Sequence, residues 1–109
     1  MNEKIKIYLA DDHKILRESL ILLLGQEDDI QVVGQGQDGI EVEKDVKNLI
    51  VDVLILDISM PKRSGIDVAK NLMREFPNLK IIFLTMHKSE EILAEAFENG
   101  AKGYVLKEN

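Results

Sequence analysis

The sequence predicts an α/β fold: an open, doubly wound sheet of five parallel strands with helices on both faces. The apolar run at 53–56 and the almost wholly apolar run at 79–84 are too short for globular helices and suit buried strands of a parallel sheet. Helix-length segments separate the strands, and crossovers of that length join parallel neighbours. With 109 residues, of which 45% are hydrophobic, the chain can form one domain around one core.

Two repeating patterns of apolar residues predict the first strand and the first helix. Residues 5–9 alternate between apolar and other side chains, which predicts a strand that stops at Asp11 and Asp12. A helix is expected from about His13, with Gly25 as its left-handed C-cap. The residues that repeat on one face of this helix are Leu16, Leu20, Leu23 and Leu24.

The second strand is predicted at 30–33, and the glycine-rich run at 34–39 is predicted to be a loop. A second helix follows. Its apolar stripe comprises Val42, Val46, Leu49 and Ile50.

The central strand, 53–56, ends at Asp57, and Met60-Pro61 then takes the chain out of regular structure. Residues 64–67 match a capping box for a third helix, and Pro77 ends it. The predicted inner face of that helix comprises Ala69, Leu72, Met73 and Phe76.

The fourth strand, 79–84, stops at Thr85. Glu90 and Glu91 occupy the first turn of a predicted fourth helix, where the helix dipole favours carboxylates, and Gly100 is its expected C-cap. The fifth strand is predicted at 103–106 and ends at Lys107.

Polar residues therefore stand at the ends of four predicted strands. In a parallel sheet these ends share one edge, where ligands bind at the point at which the strand order reverses. Two carboxylates about 4 Å apart repel by roughly 4 kcal/mol at an effective dielectric near 20, so such a cluster holds either protons or a hard cation. Ligands that are all oxygen suit Mg²⁺. Such an ion beside a lysine and a hydroxyl makes a phosphoryl site, with Asp57 as nucleophile. The residues expected there are Asp11, Asp12, Asp57, Thr85 and Lys107.

Composition excludes several classes of protein. There is no cysteine, so a disulfide framework, a thiolate metal site and a thiol nucleophile are absent. A net charge of −6 disfavours direct nucleic-acid binding. No apolar run approaches the ~20 residues that span a membrane, and the N-terminus lacks the pattern of a signal peptide. We expect a soluble cytoplasmic protein.

Four motifs carry a family resemblance: LADDH (9–13), ILDISMP (55–61), LTMH (84–87) and KGYVLK (102–107). Together they resemble the receiver domain of bacterial response regulators, over essentially the whole chain. Within that family, ADDHKILRESL (10–20) and EAFENGAKGYVLK (95–107) are most similar to the NarL/FixJ-type transcriptional regulators. The resemblance implies a flavodoxin-like strand order, 2-1-3-4-5.

The resemblance also implies a mechanism. Asp57 would accept a phosphoryl group from the phosphohistidine of a sensor histidine kinase, or slowly from small donors such as acetyl phosphate. Mg²⁺ would be held directly by Asp12 and Asp57, by Asp11 through water, and by the main-chain carbonyl of Ser59. The domain would then not be an enzyme that acts on other substrates. It would catalyse only its own phosphorylation and dephosphorylation.

The remaining implied roles concern signalling. Thr85 and Lys107 would contact the phosphoryl oxygens, and Thr85 and Tyr104 would move so that the face around helix four and strand five changes shape. Ser59 and His87 would tune hydrolysis of the phosphoryl group, whereas neither His13 nor His87 is given a metal role. The output would be transcription, with DNA bound through a separate C-terminal helix-turn-helix domain.

The sequence departs from the family at two points. Glu108 follows Lys107, where many receivers have proline. The family also expects a fifth helix after strand five, but the sequence ends at Asn109. We therefore expect residues 1–109 to be a receiver domain truncated before its last helix and output domain, with an uncovered sheet face open to homodimerisation or element exchange.

Three alternatives remain open. A small aspartyl-phosphate phosphatase would need a second Asp two residues after the nucleophile, where Ser59 stands, and a longer chain with a cap. A flavodoxin-like cofactor binder would need a phosphate-cradling loop where Asp11 and Asp12 stand. A degenerate receiver, acting as a docking module, would not need the complete set of site residues.

Overall fold

The computed structural model describes residues 3–85, 94–95, 98 and 101–106, without the side chains of Ala101, Tyr104 and Leu106. Strands and helices alternate along the chain up to the fourth strand. Their bounds are β1 (Ile5–Ala10), α1 (Lys14–Gly25), β2 (Ile30–Gly36), α2 (Gly39–Asn48), β3 (Val53–Asp57), α3 (Gly65–Glu75), β4 (Lys80–Thr85) and β5 (Ala101–Leu106).

The five strands form one parallel sheet in the order β2-β1-β3-β4-β5, which confirms the predicted fold and strand order. The chain moves from β1 to β2 in one direction across the sheet and then returns past β1 in the other. Right-handed crossovers consequently place α1 on one face and α2 and α3 on the other. The strand order reverses at β1 and β3, so the carboxyl ends of these two strands flank the crevice where α/β sheets bind ligands.

The core lies between the sheet and the helices α2 and α3. Alternate residues of β1, β3 and β4 point to this face, and the side chains of both helices interlock with them. The buried residues of this cluster are Tyr8, Ala10, Val42, Val46, Leu54, Leu56, Ile58, Ile66, Val68, Ala69, Leu72, Leu79, Ile81 and Phe83. This face alone therefore contains most of the described apolar interior.

The face that α1 covers is less completely buried. Ile7 and Leu9 are buried there, but the neighbouring Val53, Ile55 and Ile82 stay partly exposed. The leucines of the predicted inner stripe of α1 are partly or largely exposed as well, and the residue that α1 buries is Arg17. The predicted apolar stripe thus exists in the sequence but is only partly covered.

Two predicted helix ends were wrong. Gly25 is the last residue of α1, and the C-cap is Gln26 with a right-handed φ of −80°, so no left-handed glycine ends this helix. Leu49 and Ile50 lie outside α2, where they are largely exposed; Leu49 is its C-cap in an extended conformation.

The prediction that β2 stops before residue 34 was also wrong, because the strand continues to Gly36. The reason is Tyr8, whose ring lies against these glycines: a Cβ on Gly34 would come within 3.0 Å of the ring, and one on Gly36 within 2.4 Å of the hydroxyl. Tyr8 itself is fully buried, although it alternates along β1 with the apolar residues Ile7 and Leu9. The glycines make room for it rather than form a loop.

Side chains cap two helices. The predicted cap of α3 is confirmed, since Ser64 Oγ accepts a hydrogen bond from the Asp67 amide at 3.3 Å. Asp38 caps α2 by accepting from the Glu41 amide at 2.9 Å, and this hydrogen bond holds the pKa of the Asp38 carboxyl below its ordinary value.

The predicted fourth helix falls mostly outside the described residues, within which Ala94, Glu95 and Glu98 are helical. β5 begins at Ala101, two residues earlier than predicted. None of the helices in the described part of the chain is long and apolar enough to cross a membrane.

Candidate metal and phosphoryl site

The ends of β1 and β3 bring the acidic residues together. Ala10 pairs with Leu56, so Asp11 and Asp57 follow neighbouring positions of adjacent strands. The Asp11 amide continues the strand ladder by donating to the Gly36 carbonyl at 3.0 Å. Asp11 is fully buried and Asp57 is 2% exposed, so the sheet fixes both carboxylates at its edge.

Four side chains form one cluster of donor atoms. Asp11, Asp12, His13 and Asp57 each offer one ligand atom, and these atoms all lie within 4.8 Å of one another. The structure thus brings together the three carboxylates that the sequence predicted. It also adds His13, whose Nδ1 lies 3.1 Å from Asp11 Oδ1 and 3.4 Å from Asp12 Oδ1.

The donor set fits a small divalent cation. Two of the three carboxylates are buried, and charges about 4 Å apart repel by roughly 4 kcal/mol even at an effective dielectric near 20. Mg²⁺ favours sites in which a few protein oxygens bind it and water fills the remaining positions. The imidazole nitrogen of His13 at the rim would also suit transition metals. The chemistry of these residues therefore accords with a divalent ion beside Asp57.

Asp57 also has a fixed orientation. Its Oδ1 accepts a hydrogen bond from the Ser59 amide at 3.1 Å, in a turn in which the side chain bonds to the backbone two residues later. The Ile58 amide donates to the Leu84 carbonyl at 3.1 Å, so the chain leaves β3 alongside β4. The carboxylate thus stays at the sheet edge and does not turn into solvent.

The other predicted site residues are described to different extents. Thr85 ends β4 and is 1% exposed, and its backbone pairs with Leu106, the last residue of β5. Ser59 is exposed beside Asp57. Lys107 and His87 lie outside the described residues, and Tyr104 is described only as part of β5. Their roles stay predictions.

Sequence reasoning missed Arg17. It is 9% exposed, and its Nη1 donates to the main-chain carbonyl of Asp11 at 2.6 Å while its Nε donates to Gln35 Oε1 at 2.7 Å. This buried cation ties α1 to the ends of β1 and β2 beside the acidic cluster. The available signal was a charged residue immediately after Leu16, beside the apolar stripe of α1, where an exposed position would have been ordinary.

A cleft of about 640 Å³ opens beside the cluster. It lies over the segment between β3 and α3, and acidic residues stand at its rim. Its lining residues are Asp12, Ile58, Ser59, Met60, Pro61, Ser64, Ile66, Asp67 and Glu95. Of the acidic cluster, Asp12 lines this cleft, and Ser59 lines it beside Asp57.

The sequence profile of the response regulator receiver domain matches residues 7–109. The chain belongs to the response regulator receiver family. Among curated proteins, this receiver is 42% identical over 104 residues to the oxygen regulatory protein NreC of Staphylococcus carnosus, covering 94% of this chain and 48% of that protein. It is 35% identical over 105 residues to the transcriptional regulatory protein DegU of Brevibacillus brevis, covering 96% of this chain and 44% of that protein.

A solved structure gives the same assignment. The signal receiver domain of the response regulator NarL from Mycobacterium tuberculosis superposes with a TM-score of 0.90 at 30% identity, covering 98% of this chain and 86% of that one. The predicted likeness to NarL-type receivers is confirmed. The receiver spans about half the length of the curated relatives it matches. Receiver domains generally bind Mg²⁺ in an acidic pocket, and the cluster at Asp57 corresponds to such a pocket.

Proposed function

We propose that this receiver accepts a phosphoryl group on Asp57 from a sensor histidine kinase, with Mg²⁺, and passes the signal to a transcriptional output. One observation carries the proposal: Asp57 lies buried at the carboxyl end of β3, with its carboxylate within 4.8 Å of those of Asp11 and Asp12. Membership of the receiver family supports the kinase as donor.

Each acidic residue has a separate task in this proposal. Asp12 and Asp57 would hold the ion directly, Asp11 would hold it through water, and the main-chain carbonyl of Ser59 would be a further protein ligand. When bound, Mg²⁺ offsets the carboxylate charges and those of the phosphoryl oxygens. An oxygen of Asp57 attacks the phosphorus of the phosphohistidine, so a P–O bond forms as the P–N bond breaks and the imidazole leaves. The Ser59 amide orients the attacking carboxylate.

The signal then depends on residues around the phosphoryl group. The Thr85 hydroxyl and the Lys107 ammonium donate hydrogen bonds to the phosphoryl oxygens, which carry nearly two negative charges. Thr85 moves toward the group and Tyr104 turns inward, and the face around the predicted fourth helix and β5 changes with them. Ser59 and His87 set how fast water removes the phosphoryl group. The burial of Thr85 at the end of β4 supports its part in this proposal.

Partners and location follow from the family. The curated relatives include a transcriptional regulatory protein, and they are about twice as long as this chain. Their length supports a separate output domain, and that domain, not the receiver, would bind DNA. On the same ground we place the protein in the cytoplasm. The domain acts as a phosphoacceptor and catalyses only its own phosphorylation and dephosphorylation.

Self-association through the α1 face is part of the proposal, either as a homodimer or by exchange of elements. On this face of the sheet Val53, Ile55 and Ile82 stay partly exposed, and apolar surface that is left uncovered favours association. Light scattering at high micromolar concentration is expected to show a dimer. A monomer at that concentration would remove this part of the proposal.

The experiment uses acetyl phosphate and beryllofluoride, each with Mg²⁺. Intact mass is expected to show one phosphoryl adduct that disappears in Asp57→Asn, and the melting temperature should rise with beryllofluoride only when Mg²⁺ is present. Asp67→Asn serves as the matched control, since Asp67 lines the same cleft but stands outside the donor cluster.

Other outcomes identify other functions. Sustained phosphate release at many turnovers would indicate a phosphatase. A folded wild type that gains no adduct from acetyl phosphate or from a phosphorylated histidine kinase would indicate a degenerate receiver that acts as a docking module.

A further inference from the structure

The segment between β3 and α3, residues 58–64, joins the proposed nucleophile to a helix on the core side of the sheet. Its start is tied to the site, because the Ser59 amide donates to Asp57 Oδ1 at 3.1 Å. Its end returns to its beginning, because the Gly65 amide donates to the Ile58 carbonyl at 2.8 Å. The middle of the segment contacts α2 through Pro61 and Arg63, while Met60 packs against the core.

The backbone of this segment lies directly on the first residue of α2. The Gly39 amide donates to the Pro61 carbonyl at 3.2 Å, and a Cβ on Gly39 would come within 2.3 Å of the Arg63 carbonyl oxygen. The Arg63 amide also donates to the Pro61 carbonyl, at 2.7 Å, and Lys62 between them has a φ of 69°. A non-glycine residue in this left-handed region indicates a turn that its surroundings hold in place.

Side chains reinforce the same contact. Arg63 Nη1 donates to Glu43 Oε2 at 2.7 Å, and Asn71 of α3 donates to the same oxygen at 3.1 Å. Glu43 is only 8% exposed, so its carboxylate depends on these donors for the solvation that water no longer provides. Lys62 adds a weaker pair, with its Nζ 3.7 Å from Asp38 Oδ2.

We infer that Arg63 is a positioning residue. Its ion pair with Glu43 attaches the segment to α2. This attachment holds the Ser59 carbonyl and the Asp57 carboxylate in the geometry that the ion and phosphoryl group require. The inference rests on the proposed function. Between Arg63 and Ser59 the chain runs through the rigid ring of Pro61, whose carbonyl is bonded at the α2 contact. A shift of Arg63 therefore reaches Ser59 through few free torsions. Removing a group that hydrogen-bonds directly to a metal ligand typically changes metal affinity or activity 10–100-fold. Arg63 acts one step further from the ligands, so the lower end of that range is the expectation.

The test compares Arg63→Met with Arg63→Lys and Lys47→Met. Lys47 makes the matched control, because it also joins α2 to α3, with its Nζ 3.7 Å from Glu75 Oε1, but its ion pair lies outside the segment. Calorimetry measures the Mg²⁺ dissociation constant, and intact mass follows adduct formation from acetyl phosphate at saturating Mg²⁺. Urea denaturation confirms that each variant is folded under the conditions of both measurements.

We expect Arg63→Met to raise the Mg²⁺ dissociation constant by about 10-fold. Adduct formation should slow in the same variant. Arg63→Lys, which keeps a cation for Glu43, should recover most of both losses, and Lys47→Met should match the wild type. A general loosening of the α2–α3 interface would instead raise the Mg²⁺ dissociation constant and slow adduct formation in Lys47→Met as well.

The outcomes separate this inference from the proposed function. With an active wild type, an unchanged dissociation constant and adduct rate in folded Arg63→Met overturn the positioning role alone. Equal losses in Arg63→Met and Lys47→Met also overturn it. A wild type that neither binds Mg²⁺ nor gains an adduct overturns the proposed function, and the positioning role with it.

Discussion

The two faces of the sheet are packed to different extents. On the α2–α3 face the strand residues are almost completely buried beneath two helices with well-formed apolar stripes. On the α1 face the strand residues Val53, Ile55 and Ile82 remain partly exposed, and α1 buries a charged residue, Arg17. Both faces are built from the same strands, so the difference comes from what lies over them.

The acidic site takes support from both faces, by different means. On the α1 side, Arg17 holds the main-chain carbonyl of Asp11 and so supports the cluster with a hydrogen bond from a buried cation. On the α2–α3 side, close backbone contact at Gly39 and the pair between Arg63 and Glu43 support the segment that follows Asp57. Charged side chains therefore support the site from both faces, whereas extensive apolar burial is found on the α2–α3 face.

Truncating one leucine on each face tests the comparison most directly. Leu72 of α3 is fully buried, whereas Leu22 of α1 is 69% exposed. Leu72→Ala is expected to lower the free energy of unfolding by about 2–5 kcal/mol, because it removes buried methyl groups and leaves a cavity. Leu22→Ala should change it by no more than about 0.5 kcal/mol. Urea denaturation measures both, and similar losses would show that the faces contribute alike.

A pair of glycines tests how tightly the core face is filled. A Cβ on Gly36 would lie 2.4 Å from the Tyr8 hydroxyl and 3.0 Å from Val42 Cγ2, whereas one on Gly25 meets nothing within 4 Å. Gly36→Ala is expected to cost up to about 3 kcal/mol through overpacking. Gly25→Ala should be neutral or stabilise by less than about 1 kcal/mol, since alanine restricts the unfolded chain. Thermal melts compare the stability of the two variants. If Gly36→Ala is as stable as the wild type, Tyr8 can move aside.

Arginine replacements test the polar support on the α1 side. Arg17→Met removes two hydrogen bonds, to Asp11 and Gln35, and is expected to lower the free energy of unfolding by about 2 kcal/mol. Arg74→Met, at an exposed position in the last turn of α3, should change it by less than about 0.5 kcal/mol. Denaturant midpoints give the comparison. Equal effects would indicate that Arg17 contributes no more than a surface arginine.

Alkaline pH gives the smallest effect. Burial, and then the hydrogen bond to Asp45 at 2.7 Å, raise the pKa of the Tyr8 phenol above its ordinary value of 10.0. The folded state therefore keeps the proton that the unfolded chain loses, so this contribution is complete below pH 10 and declines as the pH rises toward the folded pKa. The loss amounts to no more than about 1.4 kcal/mol per pH unit.

The measurement for Tyr8 compares wild type with Tyr8→Phe, which has no phenol to titrate at this position. The free energy of unfolding is followed from about pH 9 to about pH 11 in both proteins. Wild type should lose more stability over this range than the variant. Parallel curves would show that the phenol of Tyr8 titrates alike in the folded and unfolded chains.

Much of the fold could be predicted because its signals are local. An apolar run that stops at Asp57 and a serine three residues before Asp67 each identify an element or a boundary without reference to the rest of the chain. The errors arose where a distant residue decided the outcome. The extension of β2 to Gly36 depends on the ring of Tyr8 in β1. Leu49, which the helical period had placed on α2, is instead its extended C-cap and lies beside Gly34 of β2.

For the candidate site, the sequence by itself determined which carboxylates stand at strand ends, and parallel topology then places those ends at one edge. Only the tertiary structure decided what surrounds them: the buried Arg17 on Asp11, the Nδ1 of His13 among the carboxylates, and the pair between Arg63 and Glu43. These contacts join residues from different elements, and nothing in the local pattern distinguishes Arg17 or Glu43 from an ordinary charged residue on a helix surface. Their partners are fixed by how helices rest on the sheet, which depends on the packing of the whole chain.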